Sequence, residues 1–466
     1  MSFNTYKNIK NEIEKYNNFI LTTCVGNSPA STETVYFNDG FDLYCYLHNE
    51  SQTVKQIEYN SKVETVIYSG GASNKQGLLV EGQAQIITNF DDEEKIRKQF
   101  AKSFKSMRAF INSEDSTLIK ITPVQIERIN NRKINSDEVL KFKENKPSQL
   151  KNIFSAFGRW LKKWFNATRL GFSSTTIGAL ILGAGLAYFY AGEYAFSNGL
   201  NVALACVGAL FAHISTNLLN DYYDEKNGTD RLNPNPTPFS GGSRMIQNGI
   251  IEPEKILVVA WLFLLATIGI GLYLNAQLPG NWLLLIGGIG VSFAYFYSAP
   301  PIKLVERGLG ELAISLGFSI VMIMGLFYVM TGQFDWTPVI ASVPLGIMMF
   351  LIIFINEFQD EQFDRQAGKN HLVARFQDKR KAVWLYNYLM FFPYLWVIGF
   401  VLGGYLPYYT LIILVLLPLS WKAVRNAAGN YDRNYELLQT NGLTIAIHIL
   451  FSILFTIGFL LESLLQ

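Results

Sequence analysis

Residues 217–230 read NLLNDYYDEKNGTD, and residues 355–375 read INEFQDEQFDRQAGKNHLVAR. Each tract closes a long apolar run. In the first, Asn217, Asp221 and Asp224 are spaced i, i+4, i+7 and share one helical face, with Asn220 beside Asp224. Gly228 is placed to end that helix, and Asp230 follows on the loop. In the second, Asn356, Asp360 and Asp364 are spaced i, i+4, i+8, again on one face. Asp221 and Asp360 stand 139 residues apart, a diverged internal similarity consistent with a duplicated helical unit. Acids at membrane depth are costly and usually functional. Several facing one another need cations, and hard oxygen ligands suit Mg²⁺ shared with phosphate oxygens. Lys226, Arg244, Lys303, Arg307, Lys369 and Arg375 supply positive charge nearby. The bland alternative is a set of solvated helix caps, and two clusters of matching spacing argue against it.

Around these tracts the chain divides by composition. Residues 1–150 hold 19 Lys/Arg and 19 Asp/Glu, whereas 172–466 hold 15 and 18 in almost twice the length. Half of the 466 residues are hydrophobic, and the net charge is only +2. These values exclude a wholly soluble chain and a disordered one, and argue against a nucleic-acid partner. Three scattered cysteines form no CxxC pair, so neither a zinc site nor a disulfide framework is expected. About nine segments from residue 172 are long enough to span a bilayer, centred on 174–192, 199–219, 256–275, 281–298, 309–331, 338–356, 383–404, 407–424 and 441–462. The loops after the second, fourth, sixth and eighth carry all 15 basic residues of this part. The positive-inside rule then puts the N-terminus and both acidic tracts on the cytoplasmic side. The polar N-terminus carries no secretory signal.

Residues 149–171 have five basic residues and no acid, with Ile153, Phe154, Phe157, Trp160, Leu161, Trp164 and Phe165 at helical spacing. This reads as an interfacial amphipathic helix leading into the bilayer, with a solvated linker helix as the alternative. Residues 19–130 alternate in short strands (FILTTCVG, ASTETVYF, FDLYCYL, VETVIYS, LLVEGQAQII, STLIKITPVQIERI), with helical stretches at 4–17, 51–60 and 91–112. That is an antiparallel barrel pattern. The fold expected is therefore multidomain. A split β-barrel (α+β) spans 1–145, a basic linker helix 146–171, and an all-α polytopic membrane domain of about nine helices 172–466.

NDYYDEKNGTD, YSAPPIKLVERGLGEL (297–312) and NEFQDEQFDRQAGKNHLVAR resemble the UbiA superfamily of intramembrane prenyltransferases. Their form is most similar to the branch acting on 1,4-dihydroxy-2-naphthoate in menaquinone synthesis, and YSAPPIKL also resembles chlorophyll synthases. The resemblance implies transfer of a polyprenyl group from its diphosphate to an aromatic acceptor. By carry-over, Asp221, Asp224, Asp230, Asp360 and Asp364 hold Mg²⁺ on the diphosphate, with Asn217, Asn220 and Asn356 as ligands or their partners. Arg244, Lys303, Arg307 and Lys369 are expected to meet the diphosphate, Arg244 having an acceptor carboxylate or a mere positive-inside role as alternatives. Tyr222, Tyr295 and Tyr297 either stabilise an allylic cation or anchor the chain at the interface. His213 lines the cavity or packs as a core histidine, and His371 departs from the Thr expected in the GKxTL stretch.

The N-terminal 130 residues resemble the FMN-binding split barrel of the pyridoxamine 5′-phosphate oxidase-like group. That implies a homodimer with Ser51, Thr53 and Lys55 at the flavin phosphate, Thr53 standing where Lys is common. A cofactor-free regulatory barrel is the alternative. Two other functions compete with prenyl transfer. One is a membrane-anchored flavin reductase, although an anchor needs neither nine spans nor acidic clusters. The other is a transporter, although its carboxylates belong at midplane. Other acceptors, 4-hydroxybenzoate, homogentisate or a chlorophyllide, are open as well.

Overall fold

The computed structural model describes residues 3–68, 76–88, 90–130, 133–142, 149–233, 236–376 and 378–465. The chain forms two compact units. One comprises Met1–Trp164 with Met245–Glu252, the other Phe165–Arg244 with Pro253–Gln466.

The first unit is built on one antiparallel sheet. Its strands are β1 (Asn18–Val25), β2 (Ser28–Val35), β3 (Phe37–Asp39), β4 (Asp42–His48), β5 (Lys62–Tyr68), β6 (Gln76–Ile86), β7 (Ser116–Asn130) and β8 (Lys133–Lys141). They run in the order β2-β1-β5-β6-β7-β4-β3, with β8 on β7. Alternation drives the pleat: β5 (KVETVIY) buries Val63, Thr65 and Ile67 and turns Lys62 and Glu64 outward. Phe19, Leu21, Leu43, Leu78, Val80 and Ile121 complete the core. The long β6–β7 ladder shifts register at Glu81/Gly82, where a Cβ on Gly82 would lie 2.9 Å from the Thr122 carbonyl oxygen. Helices α1 (Phe3–Lys15), α2 (Gln52–Ile57), α3 (Phe90–Ser103) and α4 (Arg108–Ile111) fill the gaps where 4–17, 51–60 and 91–112 were expected helical. β8 is an addition to the expected strands.

Helix α5 (Gln149–Ala167) covers the basic amphipathic tract. Phe157, Trp160, Leu161 and Phe165 are exposed along it. Residues 146–148 of the expected linker lie outside the described residues, as do the side chains of Lys151, Ile153 and Phe154.

The second unit is all helix. It contains α6 (Ser174–Ala191), α7 (Gly199–Asn227), α8 (Thr229–Leu232), α9 (Pro253–Ala276), α10 (Trp282–Phe296), α11 (Gly310–Ser315) and α12 (Met322–Thr331). It continues with α13 (Thr337–Gln366), α14 (Leu372–Arg375), α15 (Lys379–Leu402), α16 (Leu417–Asn430) and α17 (Asn434–Leu465). Eight helical segments among the described residues are long and apolar enough to cross a membrane, and the 15-residue α10 is a shorter ninth. The chain is a multi-pass membrane protein, close to the expected count. Small residues let these helices approach. A Cβ on Gly185 of α6 would sit 2.4 Å from Thr456 Cγ2 of α17. Leu345, Phe354 and Phe358 of α13 pack with Tyr386, Phe451 and Phe455. Buried hydroxyls find partners, as in Tyr386–Thr444 and Tyr394–Ser420 at 2.7 Å each. Helices α7 and α13 continue about two and three turns past the apolar runs that announced them, so both acidic tracts stay helical.

Candidate active site

Both acidic tracts meet within the helical unit. On α7, Asp221 and Asp224 are buried at 2 % and 4 % exposure. Gly228 ends the helix at φ +80°, its N–H directed at the Asp224 and Glu225 carbonyls. That left-handed turn sends the chain into α8, where Asp230 is buried at 4 % exposure. Asn220 Nδ2 donates to Asp224 Oδ2 at 2.7 Å, and Ser298 Oγ donates to Asn220 Oδ1 at 3.0 Å. Asp224 is thus held from its own helix and from the end of α10.

On α13, Asp360 accepts from Asn233 Nδ2 at 2.8 Å and from the Gly241 N–H at 3.0 Å. Two residues on, the Ser243 N–H points at both oxygens of Asp221 at 3.3 Å. One loop, Gly241–Ser243, therefore ties the two clusters together through backbone N–H groups. The loop has Gly241 at φ +76°, Gly242 at φ +71° and Arg244 at φ +61°, and successive N–H groups in such turns present a positive concavity. A side chain at Gly242 would displace a carboxylate: a Cβ there would lie 2.4 Å from Asp230 Oδ2 and 3.2 Å from Asp221 Oδ1. Residues 234 and 235, on the Pro/Gly-rich loop that leads to Gly241, lie outside the described residues.

Lys369, on the loop after α13, joins the two sets. Its Nζ lies 2.9 Å from Asp224 Oδ2 and 3.7 Å from Asp364 Oδ2. Burial opposes its charge, but Asp224 and Asp364 outweigh burial and hold its pKa well above the ordinary lysine range. Asp230 is pushed well above the usual carboxylate range by burial, then by Asp224 and Asp221. Arg244 donates to the Asp230 backbone oxygen.

The remaining expected residues are placed otherwise. Lys303 pairs with Glu306 at 2.8 Å and donates to Asn227 at 3.3 Å. Arg307 is exposed and donates to the Pro301 carbonyl. Asn217 reaches the Thr168 carbonyl at 3.5 Å, and Asn356 accepts from Asn441 at 2.6 Å. His213 is buried against Phe318 with Nδ1 2.9 Å from Thr176 Oγ1, a packed core histidine. Tyr222 packs edge-on against Tyr223, and Tyr295 beside Trp261, whereas Tyr297 joins the cluster of Ile314, Phe318 and Met349. Asn233, the Gly241–Ser243 backbone and the Glu357–His371 pair are the partners that spacing on a single helix did not reveal.

Four buried aspartates and the half-buried Asp360 gather here while Lys369 contacts only Asp224 and Asp364, which leaves a large excess of negative charge. Hard, oxygen-seeking divalent cations fit such a donor set, with Asp221, Asp224, Asp230, Asp360 and Asp364 as candidate ligands. On α7, Gly208, Ala209 and Ala212 line a cavity of about 410 Å³ that continues over Gly287, Phe293, Gly317 and Leu326. Ala212 lies nine residues before Asp221, so the cavity wall begins about 13 Å along the helix from the acids.

In the barrel, Ser51 Oγ caps α2 by accepting from the Val54 N–H at 3.3 Å. Thr53 is buried against Thr32 at 2.7 Å, and Lys55 pairs with Glu50 at 3.1 Å. Each of these groups has a partner within the domain. A separate cavity of about 390 Å³ is lined by Thr22, Asn60, Lys62, Glu64 and Glu81.

Comparison with known proteins agrees with both units. Residues 6–130 match the pyridoxamine 5′-phosphate oxidase model, and residues 179–457 match that of the UbiA prenyltransferase family. The chain is 26% identical to the 1,4-dihydroxy-2-naphthoate octaprenyltransferase of Bacillus subtilis (strain 168), over 61% of this chain and 87% of the relative. It is 24% identical to the 2-carboxy-1,4-naphthoquinone phytyltransferase of Synechocystis, over 64% and 93%. General Stress Protein 26 of Bacillus anthracis is similar to the barrel, at 25% identity and a TM-score of 0.24 over 29% of this chain and 98% of that one. With the family model covering more than half its length, and two buried aspartate clusters in a helical membrane unit, the chain belongs to the UbiA prenyltransferase family.

Proposed function

We propose that this protein transfers a polyprenyl group from prenyl diphosphate to 1,4-dihydroxy-2-naphthoate, with Mg²⁺, in menaquinone synthesis. The observation that carries this reading is the loop Gly241–Ser243, whose N–H groups bind Asp360 of one cluster and Asp221 of the other. It makes two distant tracts one polyanionic site of the kind that binds a metal diphosphate. The names of the relatives support the acceptor. The basic loops support a cytoplasmic site in the cell membrane.

Mg²⁺ bound by these aspartates supplies charge neutralisation for a leaving diphosphate. The chain's own groups account for the rest. Lys369 brings a positive charge between Asp224 and Asp364, in position to meet phosphate oxygens. Asn220 and Asn233 fix the carboxylates of Asp224 and Asp360. The apolar cavity takes a prenyl chain and keeps water from the allylic carbon. In the reaction the allylic C–O bond breaks, diphosphate leaves with its electron pair, and a ring carbon forms the new C–C bond. The ring then releases a proton, or CO₂ where that carbon carried a carboxylate. No step of the prenyl transfer is assigned to a flavin.

The test is transfer of radiolabelled prenyl diphosphate by purified protein with Mg²⁺. It offers 1,4-dihydroxy-2-naphthoate, 4-hydroxybenzoate and homogentisate in parallel, beside an Asp221→Ala/Asp360→Ala control. Transfer to the naphthoate alone, lost in the control, is the expected result. Transfer to another acceptor overturns the acceptor, and failure to bind prenyl diphosphate overturns the reaction.

A further inference from the structure

A third group of ionisable side chains lies beside the aspartates. Glu311 of α11, Glu357 of α13 and His371 before α14 each bring one ligand atom within 4.8 Å of the others. Glu311 and His371 are 1 % and 0 % exposed, and Glu357 is buried at 9 %. Three separate segments of chain converge here.

The hydrogen bonds are incomplete. Glu311 Oε1 accepts the Leu372 N–H at 2.5 Å, but its Oε2 is buried without a hydrogen-bond partner. Glu357 Oε2 and His371 Nε2 are buried without one as well. His371 Nδ1 accepts the Ala374 N–H at 3.2 Å and also faces Glu357 Oε2 at 3.1 Å. One ring nitrogen cannot accept from Ala374 and donate to Glu357 together. A protonated ring would pair with Glu357 at 3.1 Å and Asp364 at 3.3 Å, yet would give up the Ala374 N–H bond and bring no donor of its own to Glu311 Oε2. Orphaned acceptors in a water-poor interior are costly, and a cation among them removes the cost.

We propose that Glu311, Glu357 and His371 bind a divalent transition-metal ion of the zinc class, at a site that adjoins Asp364 but shares no ligand with the aspartate clusters. Imidazole with two carboxylates favours zinc and its first-row neighbours over Mg²⁺, which takes oxygen ligands. Four-coordinate zinc at about 2.0–2.2 Å from each ligand sets those ligands about 3.3 Å apart, so the 3.1 Å Glu357–His371 separation needs little change. The ion links α11, α13 and the loop that carries Lys369 to Asp224. The site is argued without reference to prenyl transfer and stands or falls separately from it.

The experiment uses the full-length protein in lipid nanodiscs, stripped with EDTA, loaded with Zn²⁺ under excess Mg²⁺ and analysed for metal by mass spectrometry. About one zinc per chain is expected in the wild type and in Asp221→Ala/Asp360→Ala. Glu357→Gln and His371→Thr should weaken binding by about tenfold or more. Zinc lost in the aspartate variant but kept in Glu357→Gln overturns the proposal, because the ion then sits in the aspartate clusters. No zinc in folded wild type overturns it too. Should the variants fail to fold, X-ray absorption at the zinc edge of the wild type decides. Imidazole and carboxylate scattering is expected, and absence of imidazole refutes the site.

Discussion

Gly242→Ala tests whether the loop between the aspartates is a working part of the site. Gly242 sits at φ +71°, where an L residue is strained by about 1–2 kcal/mol. Its Cβ would also fall 2.4 Å from Asp230 Oδ2 and 3.2 Å from Asp221 Oδ1, so at least one carboxylate must move. Disturbing a charged hydrogen-bond network adds about 1.5–3 kcal/mol. Together these amount to about 2.5–5 kcal/mol, of which half appearing at the site would weaken metal binding about tenfold to a hundredfold. Gly228→Ala is the control. It has a similar φ of +80° but no atom within 4 Å of the added Cβ, so it carries the strain alone. Mn²⁺ binding followed by electron paramagnetic resonance, with thermal unfolding alongside, separates the two. Gly228→Ala should lower the melting temperature and leave Mn²⁺ affinity within a few-fold of wild type. Gly242→Ala should lower affinity far more. Equal affinities for the two variants would refute the view that Gly242 is required by its closeness to the carboxylates.

Other consequences follow from the same geometry. Lys369→Met should weaken inhibition by inorganic diphosphate about ten- to a hundredfold, with Lys369→Arg recovering part of it; unchanged inhibition would remove Lys369 from the site. In protein stripped of metal, burial opposes His371 protonation, but Glu357 and Asp364 win and raise its pKa to about 10. This folded value lies above the ordinary 6.5, so the stabilisation is complete below pH 6.5 and is lost as pH rises through about 10. Melting temperatures of stripped wild type should fall across that window, and those of His371→Thr should stay flatter. Cys45 is buried with its thiol pushed up by burial, whereas Cys24 is exposed. Maleimide mapping at pH 8 should label Cys24 in native protein and Cys45 only after denaturation.

Much of this architecture is local information. The strand alternation of KVETVIY and FILTTCV needs only neighbouring residues, and β1 and β5 form where it occurs. The nine apolar runs are equally local, because a bilayer demands length and hydropathy from each helix by itself. The i, i+4 spacing of Asn217 with Asp221 and of Asn356 with Asp360 also reads directly, since a helix puts each pair on one face. The apolar count alone stops short of the ends of α7 and α13, because polar residues stop such a count without stopping a helix; the acid spacing and Gly228 carried the reading through them. Lys303 and Arg307 show the limit of charge and membrane side alone: both share the acids' side of the membrane, and in the structure they contact Glu306, Asn227 and Pro301.

The sequence by itself determined a soluble barrel, a many-span membrane region and two helical acid faces, because each rests on periodicity or composition within about twenty residues. Only the tertiary structure decided that Gly241–Ser243 ties Asp360 to Asp221, that Lys369 reaches back 145 residues to Asp224, and that His371 meets Glu357. Such pairings depend on how helices pack and where backbone N–H groups point. Buried charge forces them: each carboxylate removed from water must find a donor or a cation, and the nearest one in space is seldom the nearest along the chain.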